Sequence, residues 1–89
     1  MTKYATIDMN SGYVWWAGEA MHPVEACKNS DLEGNNEARE FEEITRSQRE
    51  HAAYAVYQIP ADLSIDDGQD KEQIAAVEAS RFVCYCAAL

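Results

Sequence analysis

The sequence predicts an α+β domain: a mostly antiparallel sheet of four to five strands with two helices packed on one face, in an order close to ββαββαβ. Three observations lead there. Short runs rich in β-branched and aromatic residues recur at 4–9, 13–17, 52–60 and 81–86. Two stretches with helical apolar spacing, 23–33 and the one holding Ile74 and Val77, lie between them. The chain has 89 residues, of which 47% are hydrophobic, so it suits one compact domain and is too apolar for a disordered acidic tail.

The first two runs flank "NSG", where Asn10 and Gly12 tolerate turn geometry, and together they read as an N-terminal β-hairpin. Strict alternation in its second strand sends Tyr13, Trp15 and Ala17 to one face and Val14, Trp16 and Gly18 to the other. One tryptophan is then expected in the core. Pro23 suits a first helical turn, Val24, Cys27 and Leu32 form an apolar stripe, and Gly34 with Asn35 supplies a stop, so the first helix should span 23–33.

"AREFEEITRSQRE" is ambiguous. Ala38, Phe41 and Ile44 have helical spacing, yet "REFEEITR" also fits an acidic edge strand, and the strand is favoured. In "AAYAVYQIP", Tyr54 and Val56 share one face while Ala55, Tyr57 and Ile59 share the other, which suggests a central strand closed by Pro60. A short amphipathic helix around Ile74 and Val77 and a last strand, "RFVCYC", complete the order. The expected core is Trp15 or Trp16 with Val56, Ile74, Val77 and Val83.

Sixteen acids against seven bases leave a net charge of −9. Such a chain repels nucleic acid, so direct DNA or RNA binding is not expected and a basic partner is. The opening "MTKYATIDMN" lacks the basic and apolar regions of a signal peptide, and no run approaches the roughly 20 apolar residues of a membrane span. Cys27, Cys84 and Cys86 form an odd set with C-x-C spacing, which suits reduced thiols. A cytoplasmic location is the expectation.

The acids gather in two places. The first is Asp62, Asp66, Asp67, Asp70 and Glu72, around the start of the second helix. An EF-hand register that puts Gly68 at position 6 places Leu63, Ile65 and Ile74 where oxygen ligands are needed, so no EF-hand is present. A different calcium geometry through Asp62, Asp66, Asp67 and Asp70 stays open. In the plainer reading Asp66 or Asp67 caps the helix and Asp70 and Glu72 face its positive end. Capping needs one or two acids, so a surplus remains for a partner.

The second gathering is Glu37, Glu40, Glu42 and Glu43 around Phe41. On a strand, alternate carboxylates of this set would lie about 6.6 Å apart, like a row of phosphates. On a helix they would pair with Arg39 and Arg46. A solvated face is the ordinary reading of such a run, and a partner-facing patch is the alternative.

Catalysis has little to stand on. His22 precedes a proline and His51 lies in a polar connector, neither near a recognisable nucleophile motif. Cys84 and Cys86 share one strand face among apolar neighbours and read as small buried residues. No phosphate loop, H-E-x-x-H or C-x-x-C is present. Neither an enzyme nor a cofactor is expected.

From "YATIDMNSGYVWWAGEA" through "HPVEACKNSD" and "AYAVYQIPA" to "DDGQDKEQIAAVEA", the chain resembles the small acidic proteins of bacterial phages and mobile elements, which include anti-CRISPR proteins. The resemblance lies in style and segment order, and no functional residue is carried over with it. It implies a stoichiometric inhibitor in the bacterial cytoplasm that binds a CRISPR effector complex and blocks target-DNA binding or nuclease recruitment; the oligomeric state stays open, with a monomer favoured. Charge and resemblance meet in one mechanism, a negative surface that mimics DNA. The expected contact residues are Asp62, Asp66, Asp67, Asp70 and Glu72, with Glu40, Glu42, Glu43 and Phe41 as a second patch. An exposed apolar anchor, Trp15 or Trp16, Tyr13 or Phe41, would supply affinity that exposed ion pairs lack. The alternative is a small protein-interaction module or accessory subunit acting through an apolar or aromatic surface.

Overall fold

The computed structural model describes residues 1–35 and 39–89. They form β1 (Thr2–Asp8), β2 (Val14–Ala20), α1 (Pro23–Asn35), β3 (Phe41–Ile44), β4 (Tyr54–Gln58), α2 (Lys71–Glu78) and β5 (Arg81–Ala88), with a 3-10 turn at Arg46–His51. The five strands make one sheet in the order β2-β1-β4-β5-β3, with every neighbouring pair antiparallel. This is an α+β fold, as the segment pattern predicts, and the run around Phe41 is a strand. The strand covers only Phe41–Ile44 before the chain coils into the 3-10 turn. Glu37 and Ala38 lie outside the described residues.

The hairpin turn between β1 and β2 is built on Asp8. Its carboxylate accepts from the Asn10 backbone N at 3.2 Å and from the Ser11 hydroxyl at 2.9 Å, an Asx-type turn, and Gly12 closes it at φ 76°. At α1, Pro23 occupies the first turn and His22 precedes it, with Glu25 N donating toward His22 Nδ1 at 3.4 Å. The helix runs two residues beyond the expected 33, to Asn35.

The two helices do not share a face, contrary to the sequence expectation. Tyr4, Phe41, Tyr54, Val56, Cys84 and Cys86 pack with Ala26 and Cys27 of α1. Ala5, Ile7, Val14 and Ala55 pack on the opposite side with Ile59, Ile65 and Val77, the last from α2. The reason lies in the central strands. β1 and β4 are apolar on both faces, and a sheet of that kind must be covered on both, since helices on one side alone would leave Ile7, Val14 and Ala55 in water.

Two bulges further rearrange the faces. In the β1–β2 ladder Thr6 pairs with Trp16 and Ile7 with Val14, which leaves Trp15 without an opposite residue. Strict alternation therefore fails: Val14 joins Ala17 on the α2 side, while Trp15 and Trp16 both pack against the α1-side cluster. Between β4 and β5 the register steps from Val56–Cys84 to Tyr57–Phe82, so Val83 is the extra residue and packs toward α1. Of the expected core, Val56 and Val77 are fully buried, whereas Ile74, Val83 and both tryptophans are half-buried.

The α1 side also holds polar groups. Thr6 and Ser30 hydroxyls bond at 2.6 Å, and Ser30 donates to the Ala26 carbonyl at 2.7 Å. Asp31, fully buried, receives Arg39 Nε at 2.9 Å and Nη2 at 2.7 Å. This bidentate pair links α1 to the segment entering β3.

Candidate functional site

The acidic loop between β4 and α2 is held down at five points. Ile59 N donates to the Lys3 carbonyl at 3.0 Å, and Lys3 Nζ donates to the Leu63 carbonyl. Ile65 is buried in the α2-side cluster, and Asp66 N donates to Gln73 Oε1 at 3.0 Å. Gly68 then pairs with Val14 through two backbone bonds, of 3.0 and 2.7 Å, in the manner of an added strand residue. Its φ of 128° is one that only glycine adopts without strain. Asp62, Asp66 and Asp67 therefore stand exposed on a fastened loop.

The cap of α2 is Asp70, whose side chain accepts from Glu72 N at 2.9 Å. The sequence pattern offers Asp66 or Asp67 as the cap, but the helix begins at Lys71, too late for either. Glu72 lies in the first turn, facing the positive end of the helix. Helix chemistry thus accounts for Asp70 and Glu72 and leaves Asp62, Asp66 and Asp67 without a capping role.

Beside this loop runs a groove of about 310 Å³ lined by Tyr13, Val14, Trp15, Glu33, Asp67 and Gly68. A smaller hollow, lined in part by Trp16, Glu33, Ile65, Asp66 and Asp67, shares Glu33 and Asp67 with it. The β1–β2 bulge and the Val14–Gly68 bridge bring the aromatic residues of β2 to the acidic loop. Glu33, from the last turns of α1, was not singled out from the sequence. More than thirty residues separate it from Asp67, and no local pattern marks it. The ion pairs among the described residues are Lys28–Glu40, Arg39–Asp31 and Glu50–His51, none of which involves Glu33, Asp66 or Asp67.

The patch on β3 is less suited to a partner. Phe41, expected as a surface anchor, is 5% exposed and packs on Tyr54 with ring centroids 5.8 Å apart. Glu42 and Glu43 are exposed, but strand alternation sends them to opposite faces, and Glu40 is joined to Lys28 at 3.4 Å. No row of carboxylates forms there among the described residues.

Cys27, Cys84 and Cys86 are free, buried thiols gathered beneath α1. Hydrogen bonding with Cys86, followed by burial, holds the Cys84 thiol well above its ordinary range; Cys86 is raised first by its bond to Cys27. Protonated, enclosed thiols make poor nucleophiles. His22 and His51 are exposed, the latter 3.6 Å from Glu50.

Among the described residues no group of three or more His, Cys, Asp or Glu is arranged to hold a metal ion, and the loop aspartates do not converge on a calcium shell. No helix among them is long and apolar enough to cross a membrane. No protein-family model, curated protein or solved structure matches the chain.

Proposed function

We propose that the protein is an inhibitor of the anti-CRISPR type, which binds the basic nucleic-acid-handling surface of a CRISPR effector complex and blocks target-DNA binding. The observation behind this reading is the division of labour in the acidic loop. Asp70 and Glu72 serve α2, while Asp62, Asp66 and Asp67 are exposed on a segment pinned at Lys3, Ile65, Gln73 and Val14. Carboxylates on a fastened backbone lose less freedom on binding than those of a loose loop, and a net charge of −9 steers the protein toward a positive channel. Such a channel is where an RNA-guided effector holds its nucleic acid.

The test is direct. The purified protein is mixed with effector complexes of different CRISPR types, and target-DNA binding is followed by gel shift. One type should lose DNA binding stoichiometrically, with added salt weakening the inhibition. No inhibition of any type would remove the proposal.

A second reading rests on a different surface. Tyr57, Phe82 and Tyr85 form a continuous aromatic row on the α2 side, with centroids 5.5 and 4.8 Å apart, and all three are only partly buried. A protein-interaction module using this row would bind its partner with little dependence on salt.

A further inference from the structure

We infer that the groove between β2, the end of α1 and the acidic loop is a receptor for one arginine side chain of the partner protein. The inference rests on the proposal of a basic partner and specifies how that partner is gripped.

The walls and rim of the groove select a cation with an apolar, planar body. Tyr13 and Trp15 offer aromatic surface, and Tyr13 is 39% exposed. Aromatic faces attract cations, and guanidinium stacks on them better than ammonium. Glu33 and Asp67 bring carboxylates to the same groove, and neither takes part in an ion pair among the described residues. Of the lining backbone, the N–H groups of Val14 and Gly68 are both consumed by their mutual bridge. They are therefore lost as donors to an anionic guest, while the carboxylates remain as acceptors.

Several other guests fit less well. A hard divalent ion needs converging oxygens, and the described acids do not form such a set. Phosphate would meet Glu33 and Asp67 as like charges. A lysine would satisfy the charge but offers no plane to the aromatic wall and no fork to two acceptors.

The probe is N-acetyl-arginine methylamide, titrated against intrinsic tryptophan fluorescence at low and physiological salt, with the lysine and citrulline counterparts alongside. The arginine compound should give a saturable change, the lysine compound should bind roughly fivefold more weakly, and neutral citrulline should give none. Changing Glu33→Gln together with Asp67→Asn should weaken the arginine response about tenfold or more, while Glu19→Gln leaves it unchanged. Thermal melts establish that each variant is folded. Equal responses to arginine and lysine, or a response indifferent to the double substitution, would reduce the effect to general charge attraction and overturn the inference. The two proposals fail separately. A saturating arginine probe with no effector inhibited leaves the groove assignment standing, whereas effector inhibition without a saturating probe leaves only the inhibitor.

Discussion

Breaking the Asp31–Arg39 pair should cost far more than breaking the other carboxylate–base contact on the same side of the molecule, Lys28–Glu40. Asp31 is completely buried and takes two charge-assisted bonds from the guanidinium, at 2.9 and 2.7 Å, with the Arg39 backbone N at 3.4 Å. The Arg39 side chain is 51% exposed, so half of the pair is still hydrated. Removing one partner of a fully buried pair costs about 3–5 kcal/mol, and an exposed pair is worth about 0–1. A pair with one buried end falls between them, so each single change should cost about 2 kcal/mol, with a coupling energy of the same order. Asp31→Asn, Arg39→Gln and the double variant form the cycle, measured by urea unfolding at neutral pH. Each single change should lower the melting temperature by about 8–16 °C, at roughly 4–8 °C per kcal/mol for a domain of this size. The Lys28→Gln, Glu40→Gln cycle should couple by less than about 1 kcal/mol, since both side chains are substantially exposed, at 36% and 70%. Equal coupling in the two cycles would refute the assignment of Asp31 as the buried anchor between α1 and β3.

Three further outcomes follow from the geometry. Replacing Asp70 with Ala should cost about 1 kcal/mol through loss of the α2 cap, whereas Asp66→Asn with Asp67→Asn should change stability by less than about 0.5 kcal/mol; urea unfolding of the two variants separates the roles. Gly68→Ala forces a side chain onto a φ of 128° and should cost about 1–3 kcal/mol while loosening the Val14 bridge, visible as faster hydrogen exchange of the Val14 amide. Stability should fall in alkali. Burial, followed by the charge of Asp31, pushes Tyr54 up from 10.0 to about 12, so the unfolded chain releases this proton first. Its contribution is complete below about pH 10 and is lost as the pH rises toward about 12, while the raised thiols of Cys84 and Cys86 begin the decline near their ordinary value of 9.0. Unfolding midpoints that stay flat between about pH 9 and 11 would contradict this assignment.

Much of the fold is legible in residue order because it depends on local properties. The turn at Asp8–Gly12 follows from Asx and glycine chemistry, the start of α1 from Pro23, and the central place of β4 from apolar residues at 54–57 on both of its faces. The same two-sided pattern in β4 already contained the placement of the helices, since it requires cover on both faces. The acidic surplus over capping needs was legible too, although the cap itself is Asp70.

What only the tertiary structure decided depends on register and on contacts between distant segments. The bulge at Trp15 comes from how β1 and β2 pair, and one unpaired residue is enough to move Val14 to the other face and put both tryptophans on one side. Phe41 looked like a surface anchor because glutamates flank it, but its packing on Tyr54 is set by where β3 joins β5. Glu33 meets Asp67 beside Trp15 only because α1 ends next to the loop that Gly68 fastens to Val14. Charge is a sum over the sequence and survives any folding; a groove is a meeting of surfaces, and a chain acquires one only when its strands have chosen their partners.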